Sequence, residues 1–241
     1  MKRLPPLAFW LALAGALLLL ISGPGVRMGL WEFPTGFQMM RWATYLGFGA
    51  LAFALIVLLI PGLRRSATRW WAPALLLAAV AVYLPWQALE SARQVPPIHD
   101  ITTDTLDPPE FVALREARAQ YPNPTDYPGE EVASQQRSAY PGLDTRVLNE
   151  PFDRAFAHAL STARDMGWEI VATEPAEGRI EATATTFWYG FRDDVVIRVR
   201  PDGEVSLIDL RSVSRVGRSD AGTNARRIRS YLERLESEPL T

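Results

Sequence analysis

The chain reads as an α+β protein in two parts: three transmembrane helices, then a water-facing domain built as helix, four-stranded antiparallel sheet, helix. Three observations predict this. Every long uncharged apolar run precedes Glu90. Nearly all the acidic charge follows it: residues 1–89 carry seven Lys or Arg against Glu32 alone, and residues 90–241 carry 18 arginines against 26 carboxylates. The formal charge of −2 over 241 residues therefore hides two opposed parts, +6 and −8. Beyond Asn149 the apolar residues recur first at helical spacing, then in alternation, then at helical spacing again.

The first apolar segment, Leu7 to Ser22, follows Lys2 and Arg3 and contains Ala12-Leu13-Ala14, so a cleaved signal peptide competes with an anchor. The anchor is favoured because the apolar run continues through Leu17 to Ile21, past that cleavage site. From Trp42 to Ile60 no residue is charged. Those 19 residues span roughly 28 Å as a helix, close to a hydrocarbon core of about 30 Å. From Trp71 to Leu89 the one strongly polar side chain is Gln87, and Trp70, Trp71 and Trp86 stand near the ends, where amphipathic rings prefer the interface. Ala43, Gly47 and Gly49 in the second helix and Ala74, Ala78 and Ala81 in the third permit close helix contact. No intramembrane charge marks an ion path.

Orientation follows from Lys and Arg in the short loops. Lys2 and Arg3 flank the first helix, and Arg64, Arg65 and Arg69 fill the second connection, so both belong in the cytoplasm. The expectation is a multi-pass protein of the inner (plasma) membrane, with a cytoplasmic amino terminus and a periplasmic or extracellular carboxy-terminal domain.

Residues 90–142 are rich in proline, with Pro96-Pro97, Pro108-Pro109, Pro122, Pro124, Pro128 and Pro141, and predict an extended acidic connector with one short helix from Pro109 to Gln120. Three Tyr-Pro pairs, at Tyr121, Tyr127 and Tyr140, suit rings that pin this connector onto its own domain. The domain proper is expected over 143–241. Pro151 suits a first helical turn, and Phe152, Phe156, Leu160, Ala163 and Met166 form a helical stripe ending at Gly167. His158 lies off that stripe, on the solvent side.

Strands follow at Trp168–Thr173 and Arg179–Trp188, joined by a turn over 174–178. In the second, Ile180, Ala182 and Ala184 alternate with Glu181, Thr183 and Thr185, as in a sheet wet on one face. Val195, Ile197 and Val199 mark a third strand, Pro201-Asp202-Gly203 a turn, and Val205–Ser214 a fourth. A last helix starts near Asp220, with Ala225, Ile228, Tyr231, Leu232 and Leu235 as its buried stripe. Both helices are expected on one face of the sheet, and about 90 residues suffice for such a core.

Two clusters are candidates for function. Phe187, Trp188, Tyr189 and Phe191, with Asp193 and Asp194, sit at a strand connection. They read as a ligand clamp, an interfacial wedge against the membrane, or simply a hairpin whose rings cover the end of the sheet. Adjacent carboxylates on a strand point to opposite faces, which makes Asp193 and Asp194 a poor acid/base pair. The second cluster leads a strand into a helix start: Arg211, Ser212, Ser214, Arg215, Arg218, Ser219, Asp220, Asn224 and Arg227. Its amides, guanidiniums and hydroxyls suit an anion such as a lipid phosphate. The structural alternative is that Ser219 or Asp220 caps the helix while the arginines pair with the acidic connector. Residues 211–234 hold seven arginines against two carboxylates, and residues 90–178 hold seven against sixteen, so partners for such pairing are at hand.

There are no cysteines, and His99 and His158 lie in different elements, which leaves no metal site to read, no cofactor and no catalytic residue to name. Nucleic acid is disfavoured for an acidic exported domain.

Gly178 to Thr183, Asp193 to Pro201, Arg211 to Asp220 with Gly222 and Asn224-Ala225, and Ile98 to Asp104 together resemble an uncharacterised bacterial family, the domain of unknown function numbered fourteen ninety-nine. The resemblance covers roughly Ile98 to Leu235. It implies amino-terminal membrane helices in many members and no assigned activity. The strand pattern is also similar to helix-grip domains of envelope lipoproteins, a likeness of fold alone. The sequence thus predicts an envelope protein anchored in the lipid bilayer that binds an envelope protein partner or an anionic lipid. The competing class is a membrane-anchored hydrolase or lipid-modifying enzyme using Asp193, Asp194 and nearby arginines.

Overall fold

A computed structural model describes the backbone of residues 4–237 and the side chains of 6–61 and 70–237. Lys2, Arg3 and the side chains of Arg64, Arg65 and Arg69, from which the orientation was read, lie outside the described residues. The chain divides into two compact units, Met1–Ser91 with Phe187–Gly190, and Ala92–Thr186 with Phe191–Thr241.

The first unit holds α1 (Leu4–Arg27), α2 (Phe33–Leu59) and α3 (Pro61–Arg93). All three contain segments long and apolar enough to cross a membrane, Pro6–Arg27, Phe33–Leu59 and Trp70–Arg93. With no hydrophobic drive between helices in lipid, small side chains that let backbones approach do the packing. They recur at intervals of four and three: Ala43, Gly47, Ala50 and Ala54 on α2, and Ala74, Ala78 and Ala81 on α3, are all buried. Ala8, Ala54 and Ala74 form one layer, and Ala12, Ala50 and Ala78 the next. A Cβ on Gly15 would lie 3.0 Å from the Ala43 carbonyl oxygen, and one on Gly47 2.8 Å from Val82 Cγ2. Gly49, expected at the same seam, faces away, with nothing within 4 Å of its Cβ position.

The second unit holds β1 (Asp100–Thr102), α4 (Leu114–Arg118), α5 (Glu130–Ala139), β2 (Arg146–Leu148), α6 (Phe152–Asp165), β3 (Glu169–Glu174), a 3-10 turn (Pro175–Glu177), β4 (Arg179–Thr185), β5 (Arg192–Asp202), β6 (Val205–Ser214) and α7 (Thr223–Ser237). It is α+β, but the sheet has six strands where four were expected. The order is β1-β6-β5-β4-β3, all antiparallel, and β2 also pairs with β6. The two extra strands are three residues each, too short for an alternating pattern to register in the sequence.

On one face α6 and α7 cover Ile180, Ala182, Val195, Ile197, Ile208 and Leu210, all fully buried. Trp168 stacks on Tyr231 with ring centroids 5.2 Å apart, and the Tyr231 hydroxyl donates to the Ala159 carbonyl at 2.7 Å. The turn into β4 needs Gly178. Its φ is +63°, and a Cβ there would stand 2.0 Å from the Val199 carbonyl oxygen. His158, expected in solvent, is buried and pairs through Nδ1 with Glu150 at 3.2 Å. A carboxylate outside the helix supplies what the helical stripe alone could not show.

The opposite face was expected to be wet. It is covered: Glu181 and Asp194 are fully buried, and Thr183 nearly so. The cover is the proline-rich stretch, which carries β1, α4 and α5 and seats Phe111 and Leu114 against Val196 and Val213. An irregular segment laid on a sheet brings unpaired backbone amides that need acceptors. The polar face provides them: Glu181 accepts the amides of Val112, Ala113 and Leu114, each at 2.9 Å. Polar alternation here signals a polar cover, not water.

Candidate functional site

Most of the strand-to-helix cluster closes on itself. Arg211, on β6, makes a two-pronged pair with Asp100 of β1, Nε to Oδ1 at 2.9 Å and Nη2 to Oδ2 at 2.7 Å. Its remaining donors reach the carbonyls of Pro109 and Thr125, at 3.3 and 2.7 Å. Arg215 does the same with Asp194, at 2.9 and 2.8 Å. Asp194 also receives Arg118 Nη1 at 2.9 Å and the Thr183 hydroxyl at 2.8 Å. Burial draws the Arg215 guanidinium down, but the hydrogen bonds and charge of Asp194 prevail and raise it above its ordinary value. Arg118 is the more deeply buried, and there desolvation wins and lowers it.

Asp193 faces the other way and accepts Arg227 Nη2 at 2.5 Å. The two neighbouring carboxylates thus serve opposite faces of β5, each with its own arginine. On the helix side Arg227 donates to Ser212 at 3.0 Å and pairs with Asn224, which in turn donates to the Ser214 hydroxyl and the His99 carbonyl, both at 3.0 Å. Asp220 accepts the amides of Gly222 and Asn224 at 2.8 and 2.7 Å and so caps the start of α7. Burial pushes its carboxyl up despite those bonds. Ser219 and Arg218 are exposed, and no ion pair is found on Arg218 among the described residues.

Each Tyr-Pro pair holds an arginine. Tyr121 lies under Arg215 at 5.0 Å, Tyr127 under Arg211 at 5.3 Å and Tyr140 under Arg229 at 5.6 Å. Cation–π contact of this kind binds the irregular layer to the β6 end of the sheet at Tyr121 and Tyr127 and to α7 at Tyr140. Burial raises the Tyr127 hydroxyl to about 12.

Of the aromatic cluster, Phe187, Trp188, Tyr189 and Gly190 belong to the helical unit. Tyr189 meets Phe37 edge-on at 5.1 Å, Trp188 fills the space where Gly23 lacks a Cβ, and Arg27 Nη1 donates to the Phe187 carbonyl at 2.6 Å. Phe191 stays with the sheet unit, its amide donating to the Thr186 hydroxyl at 2.8 Å.

Sequence reasoning missed a second network, centred on Asp209. This fully buried carboxylate takes Arg198 at 3.0 Å, Arg200 at 2.7 Å and the Thr145 hydroxyl at 2.5 Å. Arg198 continues outward to Asp104 at 3.2 Å and to the carboxylate and carbonyl of Asp107, both at 2.8 Å. Asp104 Oδ1 accepts the amides of Leu106 and Asp107 at 3.1 and 3.0 Å. A fixed turn results, and at its tip Leu106 is 90% exposed. The signal available in sequence was Arg198 and Arg200 on the polar face of β5, the face that also carries Asp194. Among the described residues no group of His, Cys, Asp or Glu is arranged to hold a metal ion.

The model of a family described as protein of unknown function (DUF1499) matches residues 100–235. No curated protein matches the chain.

Proposed function

We propose that this chain, which belongs to the DUF1499 family, is a membrane-anchored binding protein whose exported α+β domain holds a protein partner of the cell envelope. The observation that carries this is the Leu106 turn. Seven hydrogen-bond donors and acceptors on Asp104, Asp107 and Arg198 immobilise a loop whose exposed leucine serves no internal packing. An apolar side chain carried on a hydrogen-bonded turn is preorganised to enter a partner's pocket, because the backbone beneath it is ordered before association and only the side-chain rotamer remains to be fixed. The exported orientation rests on the loop arginines and on Lys2 and Arg3.

The arginine clusters support binding over catalysis. Arg211, Arg215 and Arg227 are closed by Asp100, Asp194 and Asp193, so they act as a frame. An enzyme built on Asp193 and Asp194 would need those carboxylates free to take and give protons. The anionic-ligand reading keeps only the exposed Arg218 guanidinium and the Ser219 hydroxyl, since the amides of Ala221, Gly222, Thr223 and Asn224 are taken by Ser219 and Asp220, and it ranks second.

A photoreactive side chain placed at Leu106 in cells should give one discrete adduct, while the same group at exposed Glu204 should give none. Equal labelling at both positions would count against the turn. A reporter fused after Thr241 that matures only in the cytoplasm should stay dark, and a bright fusion would reverse the orientation.

A further inference from the structure

We propose that Met28, Leu30 and Phe187 form a wedge seated in the lipid interface at the α1–α2 end of the helical unit. This rests on the membrane-anchor reading and adds a lipid contact made by a segment far from the helices in sequence. The three side chains are 67%, 65% and 84% exposed. Beside Phe187, Tyr189 packs on Phe37 and Trp188 on Gly23, and both rings are less exposed than Phe187, which is left pointing outward from that base.

That base is built for a close approach. Gly190 has φ +69°, and a Cβ there would lie 2.8 Å from Arg27 Cγ, so only glycine lets this backbone lie against Arg27. Arg27 in turn holds the Phe187 carbonyl at 2.6 Å. A Cβ on Gly36 would meet Tyr189 Cε1 at 3.0 Å and the Ser22 carbonyl at 2.7 Å.

The occupant is the bilayer, by continuity. Leu17, Leu20 and Ile21 on α1 and Phe37, Trp42 and Tyr45 on α2 are exposed along the same helices and face lipid if these helices span it. Pro6–Arg27 has 22 residues, a rise of about 33 Å against a hydrocarbon core of about 30 Å. Arg27 therefore falls at the edge of the hydrocarbon, where a long cationic side chain is tolerated, and Met28 and Leu30 fall at headgroup depth. Apolar and aromatic rings at that depth gain burial in the acyl boundary.

The absence of cysteine makes the test direct. Single cysteines at Met28, Leu30, Phe187, Trp42 and Glu204 would carry an environment-sensitive fluorophore in the full chain, reconstituted in phosphatidylethanolamine–phosphatidylglycerol vesicles. Doxyl lipids labelled near the headgroup should quench positions 28, 30 and 187, and iodide should quench them at least threefold less than position 204. Iodide access at 187 equal to that at 204 would overturn the wedge. Protection from iodide without lipid quenching would put a protein or a second copy there, and would also overturn it. Trp42, exposed on α2, reports the anchor separately: lack of lipid quenching at 42 would refute the anchor reading itself.

Discussion

Replacing Asp194 by alanine tests whether the buried charge network is the frame of the domain. Asp194 is fully buried and pairs with two guanidiniums, Arg118 at 2.9 Å and Arg215 at 2.8 Å. Removing one partner of a buried pair costs about 3–5 kcal/mol, because the other charge is left uncompensated. With two arginines stranded, the upper end applies, about 5 kcal/mol. For a urea dependence of about 2 kcal/mol per molar, the unfolding midpoint should fall by about 2.5 M. Pulse proteolysis of the detergent-solubilised full chain in a urea series measures this on the sheet unit. Arg218→Ala, at an exposed position, should stay within about 0.5 kcal/mol of the parent, a shift near 0.25 M. Replacing the whole trio by apolar residues, Asp194→Leu with Arg118→Met and Arg215→Met, should recover at least half the loss, since none of these three charges is then left buried without its partner. A midpoint within about 0.5 M of the parent in Asp194→Ala would refute the reasoning.

Gly178→Ala places a methyl carbon against the Val199 carbonyl oxygen at φ +63° and should lower the same midpoint by about 1 M, at least about 2 kcal/mol. Gly47→Leu should separate α2 from α3, since even a Cβ there lies 2.8 Å from Val82; a cysteine pair at Ala50 and Ala78, buried together in the parent, should lose its oxidative crosslink. Asp220 titrates above its ordinary 3.8 in the folded chain because it is buried. A raised carboxyl binds its proton more tightly folded than unfolded, so its contribution favours the fold at low pH and is lost as pH rises through the folded value. Asp220→Asn removes that dependence. Its stability relative to the parent should therefore improve from acid toward neutral pH, read as midpoints across a pH series, and a difference that stays flat would contradict the buried carboxylate.

The long elements were legible because their periods extend over many residues. Phe152 to Ala163 and Ala225 to Leu235 announced two helices, and four strands followed from alternation between Ile170 and Leu210. What escaped was local or non-periodic. β1 and β2 are three residues each, and their partners on β6 lie 113 and 62 positions further along at Asp100 and Arg146. The cover formed by Phe111, Leu114 and Arg118 keeps helical spacing inside the short helix expected from Pro109 to Gln120, but that spacing does not say which surface it covers, and the prolines around it suggested an extended chain. At the candidate site, residue types were readable but not their allegiance. Arg211 and Arg215 read either as groups for an anion or as partners of the acidic connector; Arg211 does pair with Asp100 of that connector, while the carboxylate of Arg215, Asp194, comes from the neighbouring strand. Asp209 stood in an apolar strand as a single acid, and its role emerged only with Arg198, Arg200 and Thr145 around it.

The most direct test of the binding role is native mass spectrometry of the protein extracted gently from its own membrane, compared with Leu106→Glu. The parent should carry a stoichiometric protein companion and the variant should lose it while keeping the same urea midpoint. A bare parent chain, or a companion retained unchanged by Leu106→Glu, would contradict it.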